Sequence, residues 1–374
     1  MRVCWLLLLI LLLSSCAQHH RQNLAALPAL HLEQTDLSVD KALAITPLID
    51  PLYLTPEMKA FLDYYVLSVP NSKQRLRALN TAIHRNGTLG LRYDGGFSGT
   101  AEEVFRSGRA NCLAYSHLYI AMGRYADLDM HYQQVEVKPQ WEKQGELIKI
   151  ARHVNVGGKI GKTQVFTADI NPQDYYRADL VYTISDEQAL AQHYNNIAIE
   201  YLEANKPTEA FGHLLTALKL DPESESLWTN LGYLYRTNNQ LDAAEFSYLK
   251  ALELSPAYRS ALQNLVTLYQ MTERPEMASR YHRKLNSYHE KNPFFYAGKA
   301  HNAELDGDLA TALSNIDVAI TLKPEEFEFY LAKLSYLLEI GRIDQIASVE
   351  GLARKYAKRS QDLVRLDAAL ASNI

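Results

Sequence analysis

The spacing of apolar residues divides the chain into parts with different patterns. Residues 3–13 form an apolar run of about 11 residues, shorter than the ~20 of a membrane-spanning helix and typical of a signal-peptide core. Residues 48–188 first show apolar positions at helical spacing and then alternate with period two, which predicts helices followed by a small antiparallel sheet. From residue 189 onward the spacing is helical. The pattern therefore predicts an α+β domain followed by an all-α region.

The helical region has a fixed period. The apolar and small residues around Tyr194 recur around Trp228, displaced by 34 residues, and Pro222 and Pro256 end corresponding helices. Weaker copies follow, for four to five units over residues 189–358, and residues 359–374 are predicted to form a capping helix. The pattern resembles the tetratricopeptide repeat, including W-x2-L-G-x2-Y in the second unit. The resemblance implies a solenoid whose groove binds a protein or peptide, although a stack that serves only as a scaffold remains an alternative.

The N-terminal run ends in the motif LSSC, whose cysteine is Cys16. This motif resembles the lipobox of bacterial lipoproteins, which implies cleavage before Cys16 and lipidation of its thiol. Ala17 follows in place of Asp, which implies an outer-membrane anchor with the protein facing the periplasm. Residues 1–16 are therefore expected to be a signal peptide and residues 17–47 a tether. An ordinary cleaved signal with an incidental cysteine is the alternative.

Composition and charge narrow the function classes only slightly. Hydrophobic residues make up 47% of the chain and charged residues 22%, which is ordinary for a soluble globular protein. The formal net charge of −5 argues against sequence-wide nucleic-acid binding. The segment VGGKIGKT resembles a phosphate loop, but Val156 stands where that loop needs glycine. We expect no metal and no cofactor.

Cys112 is the one cysteine that is expected to keep a free thiol in the mature protein. Of the three cysteines, Cys4 lies in the predicted signal peptide and Cys16 would be acylated. Cys112 would then have no intramolecular disulfide partner in an oxidising compartment. It directly follows Asn111, a predicted helix N-cap, and the positive end of a helix dipole favours a thiolate. Cys112 is thus either an inert packed residue or a nucleophile.

Two residues in predicted strands can serve such a nucleophile. His153 lies in the middle of one predicted strand, and Asp169 lies in the next strand, which a glycine-rich hairpin pairs with the first. A carboxylate in that position can hold one imidazole nitrogen and leave the other to face sulfur. The order Cys112, His153, Asp169 therefore suits thiol acyl transfer. Taken singly, a lone cysteine or strand histidine is more often structural.

The segments AEEVFRSGRANCLAYSHLYIAMGRYADL, HVNV and TADINP resemble the core of the transglutaminase-like superfamily. They are most similar to the bacterial branch in which this core precedes tetratricopeptide repeats. The resemblance covers about residues 94–173 and implies a papain-like fold with Cys112 as nucleophile, His153 as base and Asp169 as orienting group. It implies attack on an amide or ester carbonyl, release of an amine, and transfer to water or to another amine.

Several groups are candidates to stabilise the oxyanion that such an attack would form. The backbone N–H of Cys112 is the default donor, and Tyr93 and Asn155 are candidates for oxyanion or support roles. Leu113 occupies a position where animal transglutaminases have tryptophan, and Asn155 one where many microbial members have it. These departures, with no calcium-site pattern, favour hydrolysis or transpeptidation over protein crosslinking.

The sequence thus predicts an outer-membrane-anchored, periplasm-facing, cysteine-dependent acyl-transfer enzyme, either an amide or peptide hydrolase or a transpeptidase. Its repeats would recruit a protein or peptide partner, and residues 48–188 would form the transglutaminase-like domain. The alternative is a non-catalytic lipoprotein adaptor in which that domain is structural. A second chemistry within the enzyme class is transamidation onto a lysine or a polyamine.

Overall fold

The computed structural model of this protein describes residues 24, 27–32, 35–137, 152–161, 164–171 and 178–371. The described part is mostly helical and contains one four-stranded sheet. The predicted signal peptide, Cys16 and residues 17–23 of the predicted tether lie outside it. Within the described residues, no helix has both the length and the apolar character needed to cross a membrane.

The elements have the following bounds. The first helices are α1 (Val39–Ala44), α2 (Pro56–Tyr65), α3 (Ser72–His84), α4 (Ala101–Ser107) and α5 (Cys112–Tyr125). The strands are β1 (Leu30–His31), β2 (Asp36–Leu37), β3 (Arg92–Tyr93), β4 (Arg109–Ala110), β5 (Asp129–Val137), β6 (Arg152–Ile160), β7 (Gln164–Ala168) and β8 (Ala178–Ile184). The later helices are α6 (Asp186–Glu203), α7 (Pro207–Leu220), α8 (Glu225–Thr237), α9 (Leu241–Leu254), α10 (Arg259–Met271), α11 (Pro275–His289), α12 (Pro293–Leu305), α13 (Leu309–Leu322), α14 (Phe327–Glu339), α15 (Ile343–Tyr356) and α16 (Ser360–Ala371).

Strands β5 to β8 form an antiparallel sheet in the order β7-β6-β5-β8. The residues Val154 and Val156 of β6 belong to the same buried core as the apolar residues of α5. His153 and Asn155 alternate with these valines along β6 and are also buried. The observed order, helices followed by a small antiparallel sheet, is the predicted one. The strand β8 was not predicted.

The start of α5 is set by local capping. The Asn111 side chain accepts the backbone N–H of Ala114 at 2.8 Å, and Asn111 itself has an extended backbone. The preceding α4 begins with a capping box in which Thr100 and Glu103 satisfy each other's backbone N–H groups. Both helix starts agree with the sequence. Cys112 is therefore the first residue of α5.

The chain divides into two compact units within α11, between residues 279 and 280. In the first unit α6 packs on α7 and α8 on α9. Gly232 of α8 permits close approach, because a Cβ there would lie 2.6 Å from the Tyr248 ring of α9. The indole N–H of Trp228 donates to the carbonyl oxygen of Pro222 at 2.8 Å, which anchors the start of α8 to the preceding turn.

In the second unit α12 packs on α13 and α14 on α15. The Tyr330 hydroxyl donates to the carbonyl oxygen of Pro324 at 2.6 Å. This bond matches the one from Trp228 to Pro222 in the first unit. The final helix, α16, is held by a two-bond ion pair from Arg365 to Glu328 at 2.6 and 2.8 Å. It covers most of the predicted capping segment.

Part of the predicted tether is packed against the repeats. The Gln240 side chain accepts the N–H of His31 at 2.8 Å and donates to the carbonyl oxygen of Ala29 at 2.8 Å. The Tyr235 hydroxyl donates to the carbonyl oxygen of Pro28 at 2.7 Å. The tether predicted over residues 17–47 is therefore corrected for residues 27–32 and 35–47.

The physical reason is apolar burial that the sequence pattern did not reveal. Leu27 and Leu30 are buried, and α1 packs on α7. Gly212 of α7 makes room for this contact, because a Cβ there would clash with Thr46 Oγ1, two residues after α1. The N-terminal segment, residues 27–32 and 35–47, is thus attached at two places, on α7 and at the end of α8.

We expect Gln240→Ala to loosen this segment. The variant leaves the carbonyl oxygen of Ala29 and the N–H of His31 without their partner, at a cost of about 1 kcal/mol for each bond. The detached population should then rise about 10- to 30-fold. The measurement is the rate of limited proteolysis within β1 and β2. Gln263→Ala, at an exposed glutamine of α10, is the control, and equal cleavage rates in the two variants would contradict the prediction.

Candidate functional site

His153 and Asp169 form a buried pair. His153 Nε2 lies 2.7 Å from Asp169 Oδ2, and the two side chains are 6% and 4% exposed. His153 belongs to β6, and Asp169 directly follows β7, which pairs with β6 through Val156 and Ala168. The hairpin register therefore brings together two residues that are 16 positions apart in the sequence.

Two further donors hold the Asp169 carboxylate. Asn155 Nδ2 donates to Asp169 Oδ2 at 3.1 Å, and the backbone N–H of Asn171 donates to Oδ1 at 2.8 Å. With His153, three donors fix the orientation of this carboxylate. The nitrogen of Asn155 faces Asp169, so its oxygen points away, and that oxygen has no hydrogen-bond partner in the described part of the chain. Asn155 thus occupies a supporting position rather than that of an oxyanion donor.

Cys112 completes the group. It is a free cysteine, partly exposed at the first position of α5, and it interacts with the His153 ring. Because Nε2 is engaged by Asp169, Nδ1 is the ring nitrogen left to face sulfur. The structure thus brings the three predicted residues into one continuous set of contacts.

The protonation of His153 reflects opposing effects. Burial alone would lower the pKa of His153, but its hydrogen bonds to Asp169 and Cys112 and their charges outweigh burial and raise that pKa to about 10. The ring is therefore an imidazolium at neutral pH. A cation held between a carboxylate and a sulfur favours the thiolate form of a cysteine.

The start of α5 also supplies hydrogen-bond donors. The N–H groups in the first turn of a helix have no acceptor within the helix, and here the Asn111 side chain satisfies that of Ala114. The N–H groups of Cys112 and Leu113 remain at the positive end of the helix dipole, beside the sulfur. The Leu113 side chain is buried in the core. This arrangement can stabilise an anion that forms next to Cys112.

Tyr93 lies on a different element. It is the last residue of β3 and pairs with Ala110, two residues before Cys112. Its side chain is 56% exposed, unlike the buried His153 and Asp169. Its predicted role in the oxyanion site stays a prediction.

One supporting contact, made by Ser116, was not predicted from the sequence. The Ser116 hydroxyl donates to the carbonyl oxygen of Cys112 at 2.8 Å and lies 3.5 Å from that of Val154. It therefore links the first turn of α5 to β6, next to His153. Its position four residues after Cys112 is the spacing at which a helical serine reaches back to a carbonyl group. That spacing is the signal that could have identified it.

No cluster of three or more histidine, cysteine, aspartate or glutamate residues suited to a metal ion occurs among the described residues.

Comparisons with known proteins concern the repeats. The profile of the tetratricopeptide repeat family matches residues 225–258. A curated relative, the chloroplastic tetratricopeptide repeat domain-containing protein PYG7 of Arabidopsis thaliana, is 31% identical over 22% of this chain. The match spans 30% of the length of that relative.

Two solved structures are similar at low identity. MamA from Desulfovibrio magneticus is 16% identical, with 46% of this chain and 96% of that chain covered and a TM-score of 0.26. For pilF of Pseudomonas aeruginosa the identity is 16%, the coverage 50% and 90%, and the TM-score 0.27.

The segment matched by the family profile comprises α8 and α9, which are the second unit of the predicted 34-residue period. It contains the close contact between Gly232 and Tyr248 and the Trp228 side chain that binds the carbonyl oxygen of Pro222. Residues 225–258, within the C-terminal helical part of this chain, therefore form a tetratricopeptide repeat.

Proposed function

We propose that this protein is a cysteine-dependent acyl-transfer enzyme with a transglutaminase-like core, acting as an amide or peptide hydrolase or as a transpeptidase. The observation that carries the proposal is the buried His153–Asp169 pair, 2.7 Å apart, in contact with the partly exposed Cys112. A buried ion pair of this kind costs desolvation energy, and shifted histidines of this kind are concentrated at functional sites.

In the first half-reaction the Cys112 sulfur attacks the carbonyl carbon of an amide substrate and forms a C–S bond. The carbonyl oxygen becomes an oxyanion and accepts hydrogen bonds from the N–H groups at the start of α5. His153 then gives its Nδ1 proton to the leaving amine as the C–N bond breaks. The products are a thioester on Cys112 and a neutral imidazole.

In the second half-reaction the neutral His153 takes a proton from water or from an acceptor amine, which attacks the thioester carbonyl. The C–S bond breaks, and the sulfur leaves as a thiolate beside the regenerated imidazolium. Asp169 keeps the ring oriented through both steps, and Asn155 keeps Asp169 oriented. Water as acceptor gives hydrolysis, and an amine gives transpeptidation or transamidation.

The repeats provide the protein-binding part of this proposal. Stacked tetratricopeptide repeats present an extended surface to a protein or peptide. In the enzyme they would recruit the substrate or a partner. We further propose that Cys16 is lipidated and that the protein is anchored in the outer membrane and faces the periplasm. That part of the proposal rests on the apolar run of residues 3–13, the LSSC motif and Ala17.

The second candidate function is a non-catalytic adaptor that binds a protein through its repeats. What favours it is that the family profile and the curated relative both match the repeat region. In the adaptor, the contacts of His153 with Asp169 and Cys112 would serve only to stabilise the sheet against α5.

Thiol labelling separates the two candidates. We expect a thiol-reactive electrophile to label Cys112 of the folded protein faster at pH 6 than it labels an ordinary free cysteine, because Cys112 is partly exposed and its sulfur interacts with the His153 ring. His153→Ala should lower the rate at pH 6 about 10²-fold, since a free thiol with a pKa near 8.5 is then almost fully protonated. Labelling is followed by mass spectrometry of the peptide that contains Cys112.

His131→Ala is the matched control, because His131 lies on β5 on the same sheet face and pairs with Gly157 rather than with His153. If Cys112 is labelled only after unfolding, the enzyme proposal fails and the adaptor remains. If the labelling result is as expected, adding amine donors and searching for adducts separates transfer to amines from hydrolysis.

A further inference from the structure

Two fully buried histidines face each other where the core meets the first repeat. His117 on α5 is 0% exposed and His193 on α6 is 1% exposed. Their ring centroids are 5.2 Å apart. Both residues belong to the first compact unit. The helix that begins with Cys112 is therefore packed, through a histidine pair, against the first repeat helix.

Most of the ring nitrogens of this pair lack partners. His117 Nδ1 lies 2.6 Å from the Tyr132 hydroxyl of β5. His117 Nε2 and both ring nitrogens of His193 have no hydrogen-bond partner among the residues that the structure describes. At three of the four ring nitrogens, therefore, no acceptor among the described residues is in place for the N–H groups of two cationic rings.

The charged groups around the pair do not compensate for such charges. The negative charge of Glu103 on α4 acts to raise the pKa of His193. The same carboxylate, however, already accepts a hydrogen bond from the backbone N–H of Thr100 at 2.7 Å. His213 of α7 opposes a positive charge on His193. At the start of α6, Asp186 is bound to Arg124 by two hydrogen bonds of 2.6 and 3.0 Å.

Burial consequently disfavours the charged form of both rings. It lowers the pKa of His117 well below its usual value, and the nearby His193 lowers it further. Burial also lowers the pKa of His193, to about 4, with only partial opposition from Glu103. In an open or unfolded state both rings would titrate near 6.5. The packed form is thus fully favoured above pH 6.5 and loses stability as the pH falls from 6.5 toward 4.

We infer that the contact between His117 and His193 is an acid-sensitive switch, which holds α5 against α6 at neutral pH and releases them when both rings take up protons. The release would separate the start of the repeats from the helix that carries Cys112. Two cations about 5 Å apart in a buried place repel each other and lose their hydration. The inference rests on the packing of the pair and holds for an enzyme and for an adaptor alike.

Hydrogen exchange of the full chain between pH 7.5 and 4.5 tests the switch. After correction for the intrinsic exchange rate, the open fraction of α5 and α6 should rise up to 100-fold for each pH unit below 6.5, because opening takes up two protons. His193→Gln, which stays neutral, should reduce this to at most 10-fold for each unit. His282→Gln, at an exposed histidine of α11, should leave the wild-type dependence unchanged.

Equal pH dependence in the wild type and in His193→Gln would overturn the inference. If His193→Gln does not fold at pH 7.5, His117→Gln is measured in its place, with the same expected reduction. Should neither variant fold, the slope of the wild type decides: uptake of fewer than 1.5 protons on opening between pH 6.5 and 4.5 overturns the switch, and uptake of about two supports it.

Discussion

Replacing Asp169 with asparagine is expected to lower the rate of acyl transfer about 10³- to 10⁴-fold and to destabilise the fold by about 3 kcal/mol. Asparagine keeps the size of the side chain but removes the negative charge that faces His153 Nε2 at 2.7 Å. A buried imidazolium would then lack its counter-ion. The ring could also bind the amide in the wrong tautomer, with its proton on the nitrogen that must serve sulfur.

The loss of stability caused by Asp169→Asn is expected to depend on pH. Despite burial, Asp169 and Cys112 raise the pKa of His153 to about 10, well above the unfolded value of 6.5. A raised pKa contributes stability that is fully present below pH 6.5 and is lost as the pH rises through 10. The difference in unfolding free energy between wild type and Asp169→Asn should therefore be largest below pH 6.5 and smallest above pH 10. Urea unfolding at pH 6, 8 and 10.5 measures it.

Asp127→Asn is the control for this substitution, because Asp127 forms an exposed ion pair with Arg75. We expect it to change stability by less than about 0.5 kcal/mol at any of these pH values and to leave acyl transfer intact. Equal effects of the two substitutions on stability would show that the His153–Asp169 pair is not the buried ion pair described above.

Replacing Gly232 with leucine is expected to destabilise the first repeats by about 3 kcal/mol. A Cβ at this position would already lie 2.6 Å from the ring of Tyr248, which is fully buried and cannot move aside cheaply. The larger side chain must push α8 away from α9. Urea unfolding and hydrogen exchange of α8 and α9 measure the loss.

The control is Gly351→Leu in α15, where a Cβ meets no atom within 4 Å. Leucine has a higher helix propensity than glycine, so this variant should gain about 0.5 kcal/mol. The two substitutions are chemically identical and are expected to differ in sign. A neutral Gly232→Leu would mean that α8 and α9 do not approach as closely as the structure has them.

Much of the site could be predicted because its parts have local signals. Asn111 and the Thr100–Glu103 box mark helix starts within a few residues, so Cys112 could be assigned to the first turn of its helix. Alternation with period two placed His153 and Asn155 on one face. The hairpin then brought Asp169 to the same place.

Other features left no such signal. The strand β8 was not predicted, although it pairs with β5 along most of its length. Asn155 could be named as a candidate, but whether it faced an oxyanion or Asp169 depended on the side-chain contact itself. The attachment of residues 27–32 and 35–47 depends on Gln240, which is distant in sequence.

Local signals in the sequence specify most of the elements, the 34-residue period of the helical region and the residue types of the candidate site. These follow from caps, periodicity and packing between neighbouring helices, which act over one or two turns or one repeat. The folded chain alone shows that Asn155 holds Asp169, that His117 meets His193, and that Gln240 binds the N-terminal segment. Such contacts join residues from separate elements, and the short-range spacing of a sequence carries no record of which separate elements meet.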